Sequence, residues 1–309
     1  AILFQNRRGF APMIECKDCG WIPRCQHCDV SMTYHKFHQK LVCHYCGFTV
    51  RVPAECPECH SVNIRPLGFG TEKVEEEIAS LFPAARVARM DLDTARTRTA
   101  YERIIGDFEK QKTDILIGTQ MISKGLDFSH VAVVGILNAD GLMNYPDFRA
   151  HERAFQLMMQ VSGRTGRRDK QGVVVLQTSQ PDHPLIQMVT QRAYKEMVSW
   201  QLAERSMFRY PPYYRLIILV LRSKNPTVLD EQSRQYAERL RRRLGDRVLG
   251  PVTPPVSYIQ LLHIRKIVMK IEIAASIPQV RDILESVQQE MKQSTEFRQL
   301  LVHYDVDPL

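Results

Sequence analysis

Beyond Cys59 the chain has no cysteine: all eight lie between Cys16 and Cys59. No G-x-x-x-x-G-K-[ST] loop occurs anywhere, so the sequence carries no Gly-rich cradle for nucleotide phosphates. No run approaches the about 18–20 continuous apolar residues of a membrane span. No basic leader with an apolar core and a cleavage site opens the chain, which reads as cytoplasmic with no membrane partner. Low-complexity segments are absent, and a 44% hydrophobic content over 309 residues excludes disorder and leaves room for about two domains. Lys and Arg number 42 against 34 Asp and Glu, a net charge of +8 that favours an anionic partner such as nucleic acid without requiring one. The first residues, Ala1-Ile-Leu-Phe4, read as the inside of a buried strand with no methionine before it. The expectation is therefore a piece of a longer protein, with missing catalytic elements upstream.

The cysteines form four C-x-x-C pairs: Cys16/Cys19, Cys25/Cys28, Cys43/Cys46 and Cys56/Cys59. A C-x-x-C turn aims two thiolates at one tetrahedral ion, and two turns complete the four-sulfur set that zinc prefers. Zinc ribbons place roughly 15–20 residues between knuckles, and among neighbouring pairs only Cys28 to Cys43 approaches that spacing. The expected grouping is nested: Cys16, Cys19, Cys56 and Cys59 as site 1, and Cys25, Cys28, Cys43 and Cys46 as site 2. Sequential pairing would demand a five-residue loop within one site. A disulfide framework needs an oxidising compartment, and one redox C-x-x-C does not explain four. His27, His44 and His60 stand beside thiols that already satisfy two ions. Sites ligated by four sulfurs have no open position, so they are structural.

Outside this segment, strands and helices alternate up to about residue 200. Ile2–Phe4, Arg86–Met90, Asp114–Gly118, Val131–Leu137 and Gly172–Gln177 read as strands. Thr71 is placed to cap a helix whose apolar face is Val74, Ile78, Leu81 and Phe82. Tyr101, Ile104, Ile105 and Phe108 form another such face, and Phe148–Val161 and His183–Phe208 read as helical. Continuous apolar strands alternating with helices predict a parallel sheet covered on both faces, with functional loops at strand ends. Tyr210-Pro-Pro-Tyr-Tyr214 marks a boundary. After it come strand 215–221, helix 227–244, a Pro-rich turn at 251–255, strand 264–274, helix 278–292 and strand 301–305. This order fits a smaller α+β domain of the split βαβ kind. The expected domains are 1–15 with 66–209, the zinc insertion 16–65, and 210–309.

Two segments carry phosphate chemistry. Thr119-Gln-Met-Ile-Ser-Lys-Gly-Leu-Asp127 follows a strand and offers hydroxyl and ammonium donors to a phosphodiester, with Gly125 permitting close approach. Some 30 residues later, Gln160-Val-Ser-Gly-Arg-Thr-Gly-Arg167 ends a helix. Singly, the first is also a plain strand-to-helix loop and the second a Gly-rich helix end with solvated arginines. Their order on one parallel sheet favours the phosphate reading.

This pair resembles motifs V and VI of superfamily 2 helicases, on the second of two RecA-like lobes. With LFQNRRGFAP before a four-knuckle insertion and GFGTEKVEEEI after it, the chain resembles the PriA family of bacterial primosomal helicases. The resemblance runs over almost the whole chain and weakens after about residue 215. It implies an α/β fold: a RecA-like second helicase lobe with a parallel sheet, a two-zinc insertion with four cysteines to each ion, and a smaller C-terminal α+β domain. It implies Arg164 and Arg167 facing the phosphates of ATP and Mg2+ held by the first lobe, with Arg167 as the finger and Gln160 helping to position the nucleotide. Gly125 and Asp127 would link that cleft to DNA, and Thr119, Ser123 and Lys124 would lie nearest the DNA backbone. Lys124 stands where many superfamily relatives have arginine. In this piece both arginines would project into solvent.

The implied activity is ATP-dependent 3′ to 5′ unwinding at stalled forks, with replication restarted by primosome assembly. The implied partners are branched and single-stranded DNA, single-stranded-DNA-binding protein and primosome proteins, with a monomeric enzyme. Without the Walker lobe this piece would be inactive alone. The C-terminal helix with Arg234, Arg239, Arg241, Arg242 and Arg243, and Tyr210, Tyr213 and Tyr214, suits single strands; a solvated basic helix is the alternative. A different class of reading is a non-catalytic zinc scaffold that binds nucleic acid or a polymerase.

Overall fold

The computed structural model describes residues 1–5, 13–28, 30–35, 39–43, 45–67, 70–91, 94–122, 128, 130–144, 147–165 and 172–308. Its contacts divide the chain into two units: Ala1–Pro12 with Leu67–Leu202, and Met13–Pro66 with Ala203–Leu309. The cysteine segment thus groups with the C-terminal residues.

The first unit is built on a parallel sheet in the order Val173–Leu176, Val133–Leu137, Ile2–Gln5, Ile115–Gly118, Val87–Met90. The central strands are apolar because both faces are covered: Ile2, Phe4, Leu116, Ile117, Val134 and Ile136 are all fully buried. Helices Thr71–Leu81, Arg98–Glu109 and Ala150–Ser162 pack their apolar residues against the sheet, with Val74, Phe108, Phe155 and Met158 buried, but Leu81 and Phe82 of the face expected on the first helix are exposed. Thr97 caps the second of these, its Oγ1 accepting from the Ala100 N–H at 3.2 Å.

Thr71 does not act as the expected cap. It lies inside the helix, preceded by Gly70, and its hydroxyl donates to the buried carboxylate of Asp91 at 2.6 Å. The N-cap position falls to Gly70, which leaves the Thr71 hydroxyl, one residue inside the helix, to give its proton to that carboxylate. The stretch 183–208 is two helices, Pro184–Thr190 and Tyr194–Met207, because Arg192 takes a left-handed φ of 55° between them.

In the second unit, residues 203–309 form a five-stranded antiparallel sheet: four strands in the order Val248–Val252, Leu262–Glu272, Tyr214–Ser223, Leu301–Val306, with the short strand Tyr258–Ile259 also paired to Leu262–Glu272. Ile217, Leu219 and Leu221 alternate with outward residues and face one core with Ile267, Met269 and Ile271. Helices Pro226–Leu244 and Ile277–Met291 cover that face through Leu229, Tyr236, Leu240, Leu284, Val287 and Met291. This is the split βαβ order, with one strand, Val248–Val252, where the sequence read only a Pro-rich turn. A register irregularity between Leu249 and Val252 accommodates Pro251 on this edge strand.

The cysteine segment of the same unit has a two-stranded sheet, Met13–Cys16 with Ile64–Leu67, and an antiparallel sheet of Thr33–His35, Lys40–Val42 and Thr49–Arg51. Its apolar core is small: Ile14, Met32 and Leu41, with Cys25, Cys28 and Cys43 packed among them. A core this size needs a staple.

Candidate functional site

Three of the four C-x-x-C pairs repeat one complete backbone figure. The first cysteine's N–H donates to the carbonyl five residues on, as in Cys16 to Trp21, Cys43 to Phe48 and Cys56 to Ser61, each at 2.8 Å. Its own carbonyl accepts from the N–H four residues on, from Gly20, Gly47 and His60. That fourth residue is left-handed, with φ of 77° at Gly20 and Gly47 and 59° at His60. The tight reversal exposes the intervening amides to the sulfurs. Cys25 makes the first of these bonds, to Val30 at 2.9 Å.

The eight sulfurs gather in two groups, Cys16, Cys19, Cys56 and Cys59, and Cys25, Cys28, Cys43 and Cys46, each with its ligand atoms within 4.8 Å of one another. Sulfur separations of 3.6 Å recur in Cys16–Cys59, Cys19–Cys56 and Cys25–Cys46. Four sulfurs about 2.3 Å from one tetrahedral ion lie about 3.8 Å apart, whereas a disulfide would need about 2.05 Å. Burial first, and then the Cys43 and Cys46 thiols, push the Cys25 thiol up to about 12. Four sulfurs at this spacing match a tetrahedral metal site, and the all-sulfur donor set fits zinc. In the first group burial opposes ionisation of Cys16, but the N–H groups of Cys19 and Asp18 outweigh it and bring its thiol down to about 7.

The two groups differ in cover. Cys19 and Cys59 are exposed in the first, whereas in the second Cys25, Cys28 and Cys43 are buried and Cys46 is half-buried. Part of that cover comes from residues the sequence did not single out. The turn Gln260-Leu261 of the C-terminal region sits on the second group, with the Gln260 N–H donating to Cys28 Sγ at 3.3 Å. Nothing marks this turn in the sequence, since it lacks the Asn-Gly or Asp-Gly pair by which such turns are read.

In the first unit, the structure describes only part of the set that the sequence leads one to expect near phosphate. Ser123, Lys124, Gly125, Asp127 and Arg167 lie outside the described residues. Thr119 is buried, 8% exposed, just beyond strand Ile115–Gly118. Gln160 is exposed on the last turn of helix Ala150–Ser162. Arg164 is half-buried beyond that helix rather than projecting freely, and its neighbour Thr165 donates its hydroxyl to the Val131 carbonyl at 2.9 Å. That bond draws the turn onto the sheet.

These residues do not converge on one end of the sheet. Gly118 is level with Ile136 through their shared partner Phe4. Val131 is five residues before Ile136, about 16 Å at 3.3 Å per residue. Thr119 therefore stands at the carboxyl end of the parallel strands, and Thr165 with Val131 at the amino end.

The arginines of helix Pro226–Leu244 are largely occupied within their own domain. Arg241 donates to the Gly250 carbonyl, Arg242 pairs with Glu238, and Arg243 pairs with Glu290 and donates to Ser286 Oγ at 2.8 Å. On the neighbouring strand, Arg265 meets Asp230 at 2.6 Å, and the Lys270 ammonium lies 3.7 Å over the Tyr210 ring. Arg234 and Tyr213 are exposed.

Three family models match along the chain: the PriA DNA helicase Cys-rich region over residues 25–51, the helicase conserved C-terminal domain over 70–169, and the primosomal protein N C-terminal domain over 206–309. The replication restart protein PriA of Bacillus subtilis is 40% identical over 310 residues, spanning 100% of this chain and 38% of that protein. That of Treponema pallidum is 38% identical, spanning 100% of this chain and 46% of its own length. That of Synechocystis is 42% identical over 222 residues, 71% of this chain and 27% of the relative. The chain thus spans less than half the length of these relatives. Among the described residues, no helix is long and apolar enough to cross a membrane. With its nested four-cysteine groups, its parallel sheet and its split βαβ sandwich each falling under or beside a matching model, the chain belongs to the PriA family.

Proposed function

We propose that this chain supplies the second RecA-like lobe, the zinc insertion and the C-terminal domain of an ATP-dependent 3′ to 5′ DNA helicase. In this reading the enzyme recognises branched and single-stranded DNA at stalled forks. It restarts replication with single-stranded-DNA-binding protein and primosome proteins. The lobe comprises 1–15 and 66–209, the insertion 16–65 and the C-terminal domain 210–309. Two zinc ions hold the insertion, one in each cysteine group, and lend structure rather than reactivity because four sulfurs leave no open position.

The observation that carries this reading is the placement of Thr119 at the carboxyl end of the parallel strands and of Thr165, next to Arg164, at their amino end. A single lobe can then serve two ligands at separate places. Ser123 and Lys124 contact the DNA backbone, with Thr119 preceding them from its buried position. Gly125 and Asp127 continue toward the nucleotide. Arg164 and Arg167 face the phosphates of ATP and Mg2+ held by a partner lobe, and Gln160 positions the nucleotide. The half-buried seating of Arg164 suits a residue held for that purpose.

An arginine delivered to a phosphoryl group in transfer is worth about 10³–10⁵ in rate. In the full-length protein, Arg167→Ala is expected to reduce DNA-stimulated ATP hydrolysis by about 10³-fold or more while leaving DNA binding in place. Hydrolysis at the wild-type rate would remove the finger assignment. The chain by itself is expected to hydrolyse no ATP.

A further inference from the structure

The turn that covers the second cysteine group has an unfavourable sequence for its shape. Strands Tyr258–Ile259 and Leu262–Glu272 are joined by two residues, Gln260 and Leu261, with Ile259 paired to Leu262. Both turn residues are left-handed, with φ of 52° and 64°. Such a turn is ordinarily built from Asn and Gly, because larger side chains make positive φ costly. Strain of this kind persists where the surroundings hold it.

Here the surroundings are both knuckles of one cysteine group. The Gln260 N–H points at Cys28 Sγ at 3.3 Å, and the Leu261 N–H donates to the His27 carbonyl at 3.0 Å. The Gln260 side-chain amide reaches the Tyr45 carbonyl on the opposite knuckle at 3.4 Å. Ile259 packs against the small core that contains Cys25, Cys28 and Cys43. An N–H aimed at a metal-bound thiolate partly neutralises its charge and fixes its orientation, as outer partners of metal ligands do.

We infer that the hairpin turn Gln260-Leu261 is the outer shell of the metal site formed by Cys25, Cys28, Cys43 and Cys46, so that metal retention there and docking of the hairpin are one linked equilibrium. The inference rests on the reading of the cysteine groups as zinc sites. The linkage is reciprocal: whatever factor the docked turn adds to metal affinity, the bound metal adds to docking of the turn. The other cysteine group has no such contact among the described residues, and it serves as the internal control.

The test uses the zinc-loaded chain. Metal analysis comes first, and anything other than two zinc ions per chain would sink the zinc reading itself, whatever the turn does. Zinc transfer to a chromogenic chelator is then followed in the wild type and in Gln260→Pro, which removes the N–H and cannot adopt the left-handed φ. One of the two zinc ions is expected to leave about 10- to 100-fold faster, with the other unchanged. The double variant Q260N/L261G keeps the N–H on a turn sequence suited to its shape, and is expected to retain slow release.

The converse is read by hydrogen exchange of residues 256–264. Protection there should fall in Cys46→Ser, which cripples the covered site, and persist in Cys59→Ser, which cripples the other. Equal acceleration of both ions in Gln260→Pro, no acceleration of either, or unchanged protection in Cys46→Ser would each overturn the linkage.

Discussion

Single residues in this chain are fixed by what lies a few ångströms away. A Cβ added at Gly118 would stand 2.6 Å from Ile122 Cγ2 and 2.9 Å from the Met90 carbonyl. One of these neighbours is backbone of the adjacent strand and cannot yield readily. Gly118→Ala is therefore expected to destabilise by about 1–3 kcal/mol, the range for overpacking a tight site, and urea unfolding would read it directly. Thr71 teaches the complementary lesson. Its place before an amphipathic run is the signature of a cap, yet the hydroxyl serves Asp91 twenty residues away. Pattern reading sees the local offer of N–H groups, whereas the buried carboxylate that takes the hydroxyl proton is brought alongside by tertiary folding. Gln260 was invisible for a related reason: its turn is held by distant knuckles rather than by its own sequence.

At the level of elements, the strands and helices of the sheet unit were legible because continuous apolar runs and 3.6-residue stripes are strong signals. The grouping of the cysteines was legible too, since thiol spacing leaves few geometries. The strand Val248–Val252 was hidden by Pro251 and the prolines that follow it, and an edge strand with a register irregularity tolerates Pro251. The stitch between strands Val133–Leu137 and Val173–Leu176 also left no trace in the sequence. There the Asp140 carboxylate accepts from the Thr178 hydroxyl and from both the N–H and hydroxyl of Ser179. Burial pushes its pKa up, but these hydrogen bonds outweigh burial and leave it below the ordinary carboxylate range. The ionised form is thus favoured in the folded chain. Its contribution is fully present above the unfolded value of about 4 and is lost as pH falls through the lower folded value. Asp140→Asn should lower the urea midpoint at pH 7, with the gap to wild type closing below about pH 4.

For the whole molecule, the cysteine segment answers to different chemistry from the rest. The parallel sheet and the C-terminal sheet are each held by an apolar core, whereas the cysteine segment has only a small one and depends on its ions. Exposure decides the order in which those ions leave. Cys19 and Cys59 are open to solvent, while three ligands of the other site are buried. A chelator in excess is expected to withdraw zinc in two phases, the faster from Cys16, Cys19, Cys56 and Cys59. Cys59→Ser should abolish that fast phase and leave the slow one, as measured by release kinetics. The sheet unit's helical content should survive the first phase, which far-ultraviolet circular dichroism would follow. The grouping of residues 13–66 with the C-terminal region could not be read from the sequence, because among the described contacts the join runs through a two-residue turn and its flanking isoleucine, far from the cysteines in sequence.

The nesting of one cysteine site within the other also gives the segment a direction of assembly. Closing Cys25, Cys28, Cys43 and Cys46 first leaves only the links 20–24 and 47–55 as free chain between the outer pairs. Each halving of a flexible loop lowers the entropic cost of closure by about 0.6 kcal/mol. The reverse order forgoes that reduction, since the outer pair must then meet across the whole unfolded interior. The ends of the segment finish side by side, in the paired strands Met13–Cys16 and Ile64–Leu67. A segment built from the inside outward in this way brings its own two ends together as its last step.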